Sequence, residues 1–189
     1  MNKIILASGS PRRKQLLALA EIPFEVKVSE TDESFPENLS PAEIAIHIAE
    51  NKALAVQSSF QPHNDDRQTV IAADTIVVFE NKIIGKPKDR KDAIQILSQL
   101  SGKVHLVITG VCILSGNKKK CFAEETEVEF HRLLLSQIQH YVDDYKPYDK
   151  AGAYAIQEWI GAIGIKSIKG DFYNVMGLPV SRVAKELWK

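Results

Sequence analysis

Apolar positions along the chain fall into short, distinct periods. Residues 4–7 (Ile-Ile-Leu-Ala) form an apolar run broken by Ser8-Gly9-Ser10, a pattern that predicts a buried strand followed by a loop. Ser10 then Pro11 suits an N-cap and first helical position, with Leu16, Leu17 and Ala20 as the apolar face. A second strand is expected over 24–28, followed by the acidic loop Glu30-Thr31-Asp32-Glu33-Ser34. Ser40-Pro41-Ala42-Glu43 reads as a capping box opening a helix that runs to about Ser58. The polar residues 61–68 read as an exposed loop.

Residues 70–79 carry the strongest strand pattern, and Glu80-Asn81-Lys82 turns the chain into Ile83-Ile84. Asp89 caps a further helix, in which Ala93, Ile96, Leu97 and Leu100 recur at helical spacing until Gly102 stops it. Segments 104–114 and 121–130 predict a long hairpin with Glu125, Glu127 and Glu129 on one face and Thr126, Val128 and Phe130 on the other. If Gly116-Asn117 is its two-residue loop, Cys112 and Cys121 stand opposite each other, either by chance or as a redox-sensitive pair. Ser136 is expected to cap a helix bearing Ile138, Tyr141, Val142 and Tyr145. A glycine-punctuated strand region should then occupy 152–175, and Pro179 should begin a terminal helix. The mixture of strands and helices predicts an α/β fold around a twisted mixed sheet with flanking helices, in two lobes about a cleft.

Composition narrows the class without naming a chemistry. The 189 residues suffice for one domain with a real core, and 44% hydrophobic with 25% charged residues is ordinary for a globular protein. Lys+Arg and Asp+Glu balance at 24 each, so no basic excess advertises a nucleic-acid partner. No apolar stretch approaches a membrane span, the N-terminus lacks a signal-peptide core, and two cysteines make no disulfide framework. A cytoplasmic protein is the expectation.

Five features strain a purely structural account. Arg12 and Arg13 occupy the first turn of a helix, where the macrodipole disfavours each cation by ~0.3–1 kcal/mol. With the hydroxyls of Ser8 and Ser10 and the exposed N–H groups of the loop, they form either an anion site or a solvated basic turn. Asp74 interrupts the apolar run Ala72-Ala73 and Thr75-Ile76-Val77, where an unpaired carboxylate costs several kcal/mol. A metal, a proton-transfer task or a backbone N–H partner would each account for it. Lys52 falls at about 80° from Ile44 on a helical wheel, inside the apolar stripe between Ile48 and Val56. Its stem either snorkels to water or carries the ammonium to the lip of a phosphate pocket. Lys86 projects from Gly85-Lys86-Pro87, on its own an ordinary turn with a surface lysine. Asp32-Glu33 is either a solvated acidic pair or a source of the oxygen ligands that Mg²⁺ recruits alongside phosphates.

Other motifs are missing. There is no Walker-type loop, no G-x-S-x-G elbow, no H-E-x-x-H and no cysteine pattern for zinc. His47, His63, His105, His131 and His140 are scattered, and His105 reads as structural.

Taken in order, several segments resemble the Maf family of nucleoside triphosphate pyrophosphatases. They are Ala7-Ser8-Gly9-Ser10-Pro11-Arg12-Arg13, Asn51-Lys52-Ala53, Ala72-Ala73-Asp74-Thr75, Gly85-Lys86-Pro87 and Leu100-Ser101-Gly102. The series continues with Thr109-Gly110, the run from Asp149-Lys150 through Ala155-Ile156-Gln157, and Val175-Met176-Gly177-Leu178-Pro179. The resemblance spans nearly the whole chain. It implies an elongated sheet lining a cleft, like that of inosine-triphosphate pyrophosphatases, a homodimer, and a divalent metal (Mg²⁺ or Mn²⁺).

By the same resemblance, Asp74 is the general base and Glu33 an acidic partner, both also metal ligands, while Lys52 and Lys86 act on the triphosphate. Ser8, Ser10, Arg12 and Arg13 would bind substrate. Arg12, Thr75 and Gln157 match the branch that takes dTTP and UTP, and the amide of Gln157 could pair with O4 and N3–H of the base. Glu158-Trp159-Ile160 departs from the family, where a glycine often follows the Gln. A nucleotide-sensing regulator of septum formation, and a 7-methyl-GTP or purine pyrophosphatase of the same fold, are the competing expectations.

Overall fold

The computed structural model describes residues 3–60 and 68–188. The loop expected over 61–68 therefore lies, except for Gln68, outside the described residues, as does His63. Seven strands form one mixed sheet: β1 (Lys3–Leu6), β2 (Phe24–Val26), β3 (Gln68–Phe79), β4 (Lys82–Ile84), β5 (Val104–Ser115), β6 (Lys118–Phe130) and β7 (Ile165–Lys169). Their order is β2-β1-β3-β5-β6-β7, with β4 paired to β3. Strand β1 runs parallel to both β2 and β3, whereas β3–β4 and β6–β7 are antiparallel. The helices are α1 (Pro11–Leu19), α2 (Pro41–Gln57), α3 (Arg90–Leu100), α4 (Leu135–Tyr145), α5 (Trp159–Gly164), α6 (Phe172–Met176) and α7 (Val180–Leu187). Among the described residues, no helix is long and apolar enough to cross a membrane.

The chain divides into two compact units. The first comprises Met1–Asp74, Thr109–Glu124 and Gly177–Lys189; the second comprises Thr75–Ile108 and Glu125–Met176. Strands β3, β5 and β6 contribute residues to both.

In the first unit, α2 begins with the expected capping box: Ser40 Oγ accepts from Glu43 N–H, and Glu43 returns its carboxylate to Ser40 N–H at 2.8 Å. Its inner face is a stripe of small residues, Ala45, Ala49 and Ala53, all fully buried. Opposite Ala45 lies Gly110 of β5, where an added Cβ would sit 2.2 Å from the Ala45 carbonyl carbon. Only a glycine lets the helix backbone rest this close to the sheet. Ala49, Ala53 and Val56 then pack with Ile5, Val70, Ala72 and Cys112. Cys112 and Cys121 face each other as expected, as free thiols in hydrogen-bond contact. Burial pushes both thiols above their ordinary range, which opposes thiolate formation.

The second unit has its own core. Ala93, Ile96, Leu97 and Leu100 of α3 pack with Ile138, Tyr141 and Val142 of α4, and with Phe130, Tyr154 and Ile160. Two expectations are corrected here. Helix α4 starts earlier than Ser136: Leu134 is its N-cap residue, with Leu134 N–H donating to the Gln137 side chain at 2.8 Å. The stretch 152–175 is not mainly strand, since only Ile165–Lys169 pairs, flanked by α5 and α6. Its glycines serve close packing and turning instead. Gly152 has φ +70° and presses on Val77, whose Cγ2 would lie 2.9 Å from an added Cβ.

Candidate active site

The apolar strand β1 ends at Ala7, whose N–H donates to Ile71 O at 2.8 Å, and delivers Ser8 at its C-terminal end. Ser8 is nearly buried, and its Oγ accepts from Ser10 N–H at 3.3 Å and from Arg13 Nη1 at 3.0 Å. Ser10 occupies the N-cap position of α1 as expected, but its side chain makes no cap hydrogen bond. The hydroxyl that organises this loop belongs to Ser8.

Arg13 is fixed at both ends of its guanidinium, since Nε donates to Gly177 O at 2.8 Å. Burial lowers its pKa, the nearby Asp74 and Glu33 carboxylates oppose that shift, and Arg12 adds to it. The neighbours that act on Arg13 therefore include both acidic residues singled out from the sequence. The first loop and the strand carboxylate belong to one electrostatic cluster, within the first unit.

Lys52 joins that cluster from α2. Its Nζ lies 2.7 Å from Asp74 Oδ1 and 2.7 Å from Glu33 Oε1. The Lys52 and Asp74 side chains are only 18% and 16% exposed, whereas Glu33 is half exposed. Of the two fates open to Lys52, snorkelling or an inward ammonium, the structure has the second. It also answers the difficulty posed by Asp74, because a carboxylate set among apolar strand residues has met a cation. A hollow of about 490 Å³ opens beside the cluster, lined by Ser8, Gly9, Ser29, Glu30, Glu33 and Lys52 among others.

The second unit holds the remaining residues. Lys86 is exposed, with Pro87 buried behind it, and Gly85 O accepts from Gly152 N–H at 3.2 Å. Thr75 directly follows Asp74 on β3 and is half-buried. Gln157 is exposed at a turn in which Glu158 N–H donates to Ala155 O at 3.1 Å. His105 is buried in the core, its Nε2 2.8 Å from Tyr154 Oη and its ring stacked on Phe130. Burial lowers its pKa to about 4, as expected for a structural histidine.

Two contributors were not evident from the residues. Gly177, 164 positions from Arg13, anchors the guanidinium through a backbone carbonyl, which no side-chain pattern encodes. The pairing of Lys52 with both acids was likewise hidden, although each of the three stood out alone.

The chain is similar to known proteins along nearly its whole length. The model of the family described as Maf-like protein matches residues 3–189. A dTTP/UTP pyrophosphatase of Parabacteroides distasonis is 50% identical over 98% of this chain and 94% of its own length. The dTTP/UTP pyrophosphatase of Bacteroides fragilis is 49% identical over the same shares, and that of Bacillus cereus 48% identical over 99% and 95%. Among solved structures, the Staphylococcus aureus Ham1 protein aligns with 69% of this chain and 72% of its own. Its TM-score of 0.44 and 18% identity are too slight to bear on function.

Proposed function

This chain belongs to the Maf family, and we propose that it hydrolyses dTTP and UTP to the monophosphate and pyrophosphate. The observation that supports this most directly is the cluster of Lys52, Asp74, Glu33 and Arg13 in one place beside an open hollow. Fixed donors and positive charge suit a triphosphate, and a carboxylate held among them suits a base. A protein that only sensed the nucleotide would need the cations but not the carboxylate.

In the proposed reaction a water oxygen attacks the α-phosphorus, and the bond from that phosphorus to the bridging oxygen of pyrophosphate breaks. Lys52 holds Oδ1 of Asp74, and Oδ2 takes the proton that the attacking water gives up. Arg12, Arg13, Lys52 and Lys86 neutralise charge gathering on the pyrophosphate. Ser8 and Ser10 bind the phosphates, and Thr75 and Gln157 the nucleoside. The roles of Lys86, Thr75 and Gln157 rest on the resemblance.

Metal dependence belongs to the same proposal. Among the described residues, no group of three or more His, Cys, Asp or Glu is placed to hold an ion alone. Asp74 and Glu33 lie near enough to share the Lys52 ammonium, so an ion taken up beside that ammonium would have an oxygen of each carboxylate within reach. That fits Mg²⁺ or Mn²⁺, which are commonly bound through one or two carboxylates together with substrate phosphates. When bound, the ion would polarise the phosphoryl oxygens and offset their charge. A homodimer, which rests on the resemblance, and a cytoplasmic location, which rests on the composition, complete the proposal.

The test is a substrate panel with Mg²⁺, watching for pyrophosphate. Turnover of dTTP and UTP well above that of 7-methyl-GTP and ITP supports the proposal. Preference for either purine nucleotide moves the chain to the other branch, and binding without turnover makes it a sensor.

A further inference from the structure

The turn that displays Gln157 is tied at both ends to a single hydroxyl. Tyr141, fully buried on α4, accepts at its Oη from Ala155 N–H at 3.1 Å and donates its own proton to Glu158 Oε2. Ala155 and Glu158 are the first and last residues of the turn, closed by the Glu158 N–H to Ala155 O bond at 3.1 Å. Gln157 lies between them.

The carboxylate in this arrangement has its own counter-ion. Lys150, buried except for 9% of its side chain, places Nζ 3.6 Å from Glu158 Oε1 and 2.7 Å from Asp149 Oδ1. The turn also packs against the helix that follows it. Gly161, in the first turn of α5, sits so near Ile156 that an added Cβ would lie 1.7 Å from the Ile156 carbonyl oxygen. A two-residue corner held by a buried phenol, a paired carboxylate and a helix backbone has little freedom, although Gln157 itself is exposed to solvent.

We infer that Tyr141 and Glu158 are positioning residues for base recognition: they fix the Gln157 turn so that its amide meets a pyrimidine edge in one orientation. This rests on the reading of Gln157 as the base contact. It assigns a task to the Glu158 carboxylate, which meets both the Tyr141 hydroxyl and the Lys150 ammonium. A hydrogen-bonding site discriminates only as well as its groups are held.

The experiment compares kcat/KM for dTTP with kcat/KM for the abasic deoxyribose 5′-triphosphate, in wild type, Tyr141→Phe, Glu158→Ala, Glu158→Gln and Gln157→Ala. Circular dichroism confirms that each variant is folded. The expected result is a loss of about 10-fold for dTTP in Tyr141→Phe and Glu158→Ala, with the abasic substrate changed by less than about 2-fold. Glu158→Gln, which keeps an acceptor for the tyrosine, should recover part of the loss. Equal losses on both substrates would overturn the inference, because a merely structural role lowers both alike. If Gln157→Ala abolishes the dTTP preference and the tyrosine and glutamate variants do not, the base contact stands and the brace fails. If Gln157→Ala leaves the preference intact, the base contact fails and the inference falls with it.

Discussion

Lys52 Nζ and Asp74 Oδ1 meet at 2.7 Å, joining a helix residue to a strand residue through side chains that are both less than one-fifth exposed. Glu33 shares the same ammonium from a solvent-facing loop. In the resting protein, two carboxylates therefore stand against one lysine, with Arg13 close enough to feel both. The balance is local. A charge removed at any of these positions leaves the others miscompensated.

Asp74→Asn removes the proposed base while preserving shape and hydrogen-bonding reach. Turnover of dTTP should fall by ~10²–10⁴-fold, with KM altered far less, in a steady-state assay of pyrophosphate release. Activity within a factor of about two of wild type would place the base elsewhere.

Lys52→Met removes the shared cation from two carboxylates, one of them largely buried. Unfolding monitored by calorimetry should show a loss of about 1–3 kcal/mol at neutral pH. Adding Asp74→Asn to the same chain should restore part of it, so the double-mutant cycle is strongly non-additive. Additive losses would mean that the pair contributes nothing to the fold.

Gly110→Ala tests how α2 is seated. Its new Cβ would lie 2.2 Å from the Ala45 carbonyl carbon, so helix and strand must separate. A destabilisation of about 1–3 kcal/mol is expected from such overpacking. Activity should fall as well, because the same helix carries Lys52. A variant that is destabilised but fully active in its folded fraction would uncouple the helix seat from the site.

His105 sets a pH dependence of stability. Its folded pKa is lowered to about 4, against 6.5 for the ordinary side chain, so between those values the unfolded chain binds more protons. Stability from this residue is complete above about pH 6.5 and is lost as pH falls towards 4, by about 3 kcal/mol in all. Urea titrations from pH 7.5 down to pH 4 should show this decline, and His105→Gln should flatten it. An unchanged slope in the variant would assign the decline to other groups.

Much of this was legible in the sequence, because the strongest signals were local contradictions. An aspartate inside an apolar strand, a lysine inside an apolar helical stripe and two arginines at a helix N-terminus each violate an elementary preference, and Asp74, Lys52 and Arg13 gather in one cluster. Helix α2 was equally clear, since its capping box is encoded within four residues. What escaped were contacts that have no side-chain signature. The Gly177 carbonyl holding Arg13 is one, and the Tyr141 tie on the Gln157 turn is another. The region 152–175 is mostly not strand because glycines such as Gly152 and Gly161 serve close approach to Val77 and Ile156 rather than punctuating paired strands. Ser136 was mistaken for a cap because a capping hydroxyl is the commoner device, while Leu134 is served by the Gln137 side chain.

Hydrolysis of dTTP in ¹⁸O-labelled water tests the central claim most directly. Attack on the α-phosphorus predicts one labelled oxygen per turnover in the thymidine monophosphate and none in the pyrophosphate. Label recovered in pyrophosphate, or in free phosphate, would contradict it.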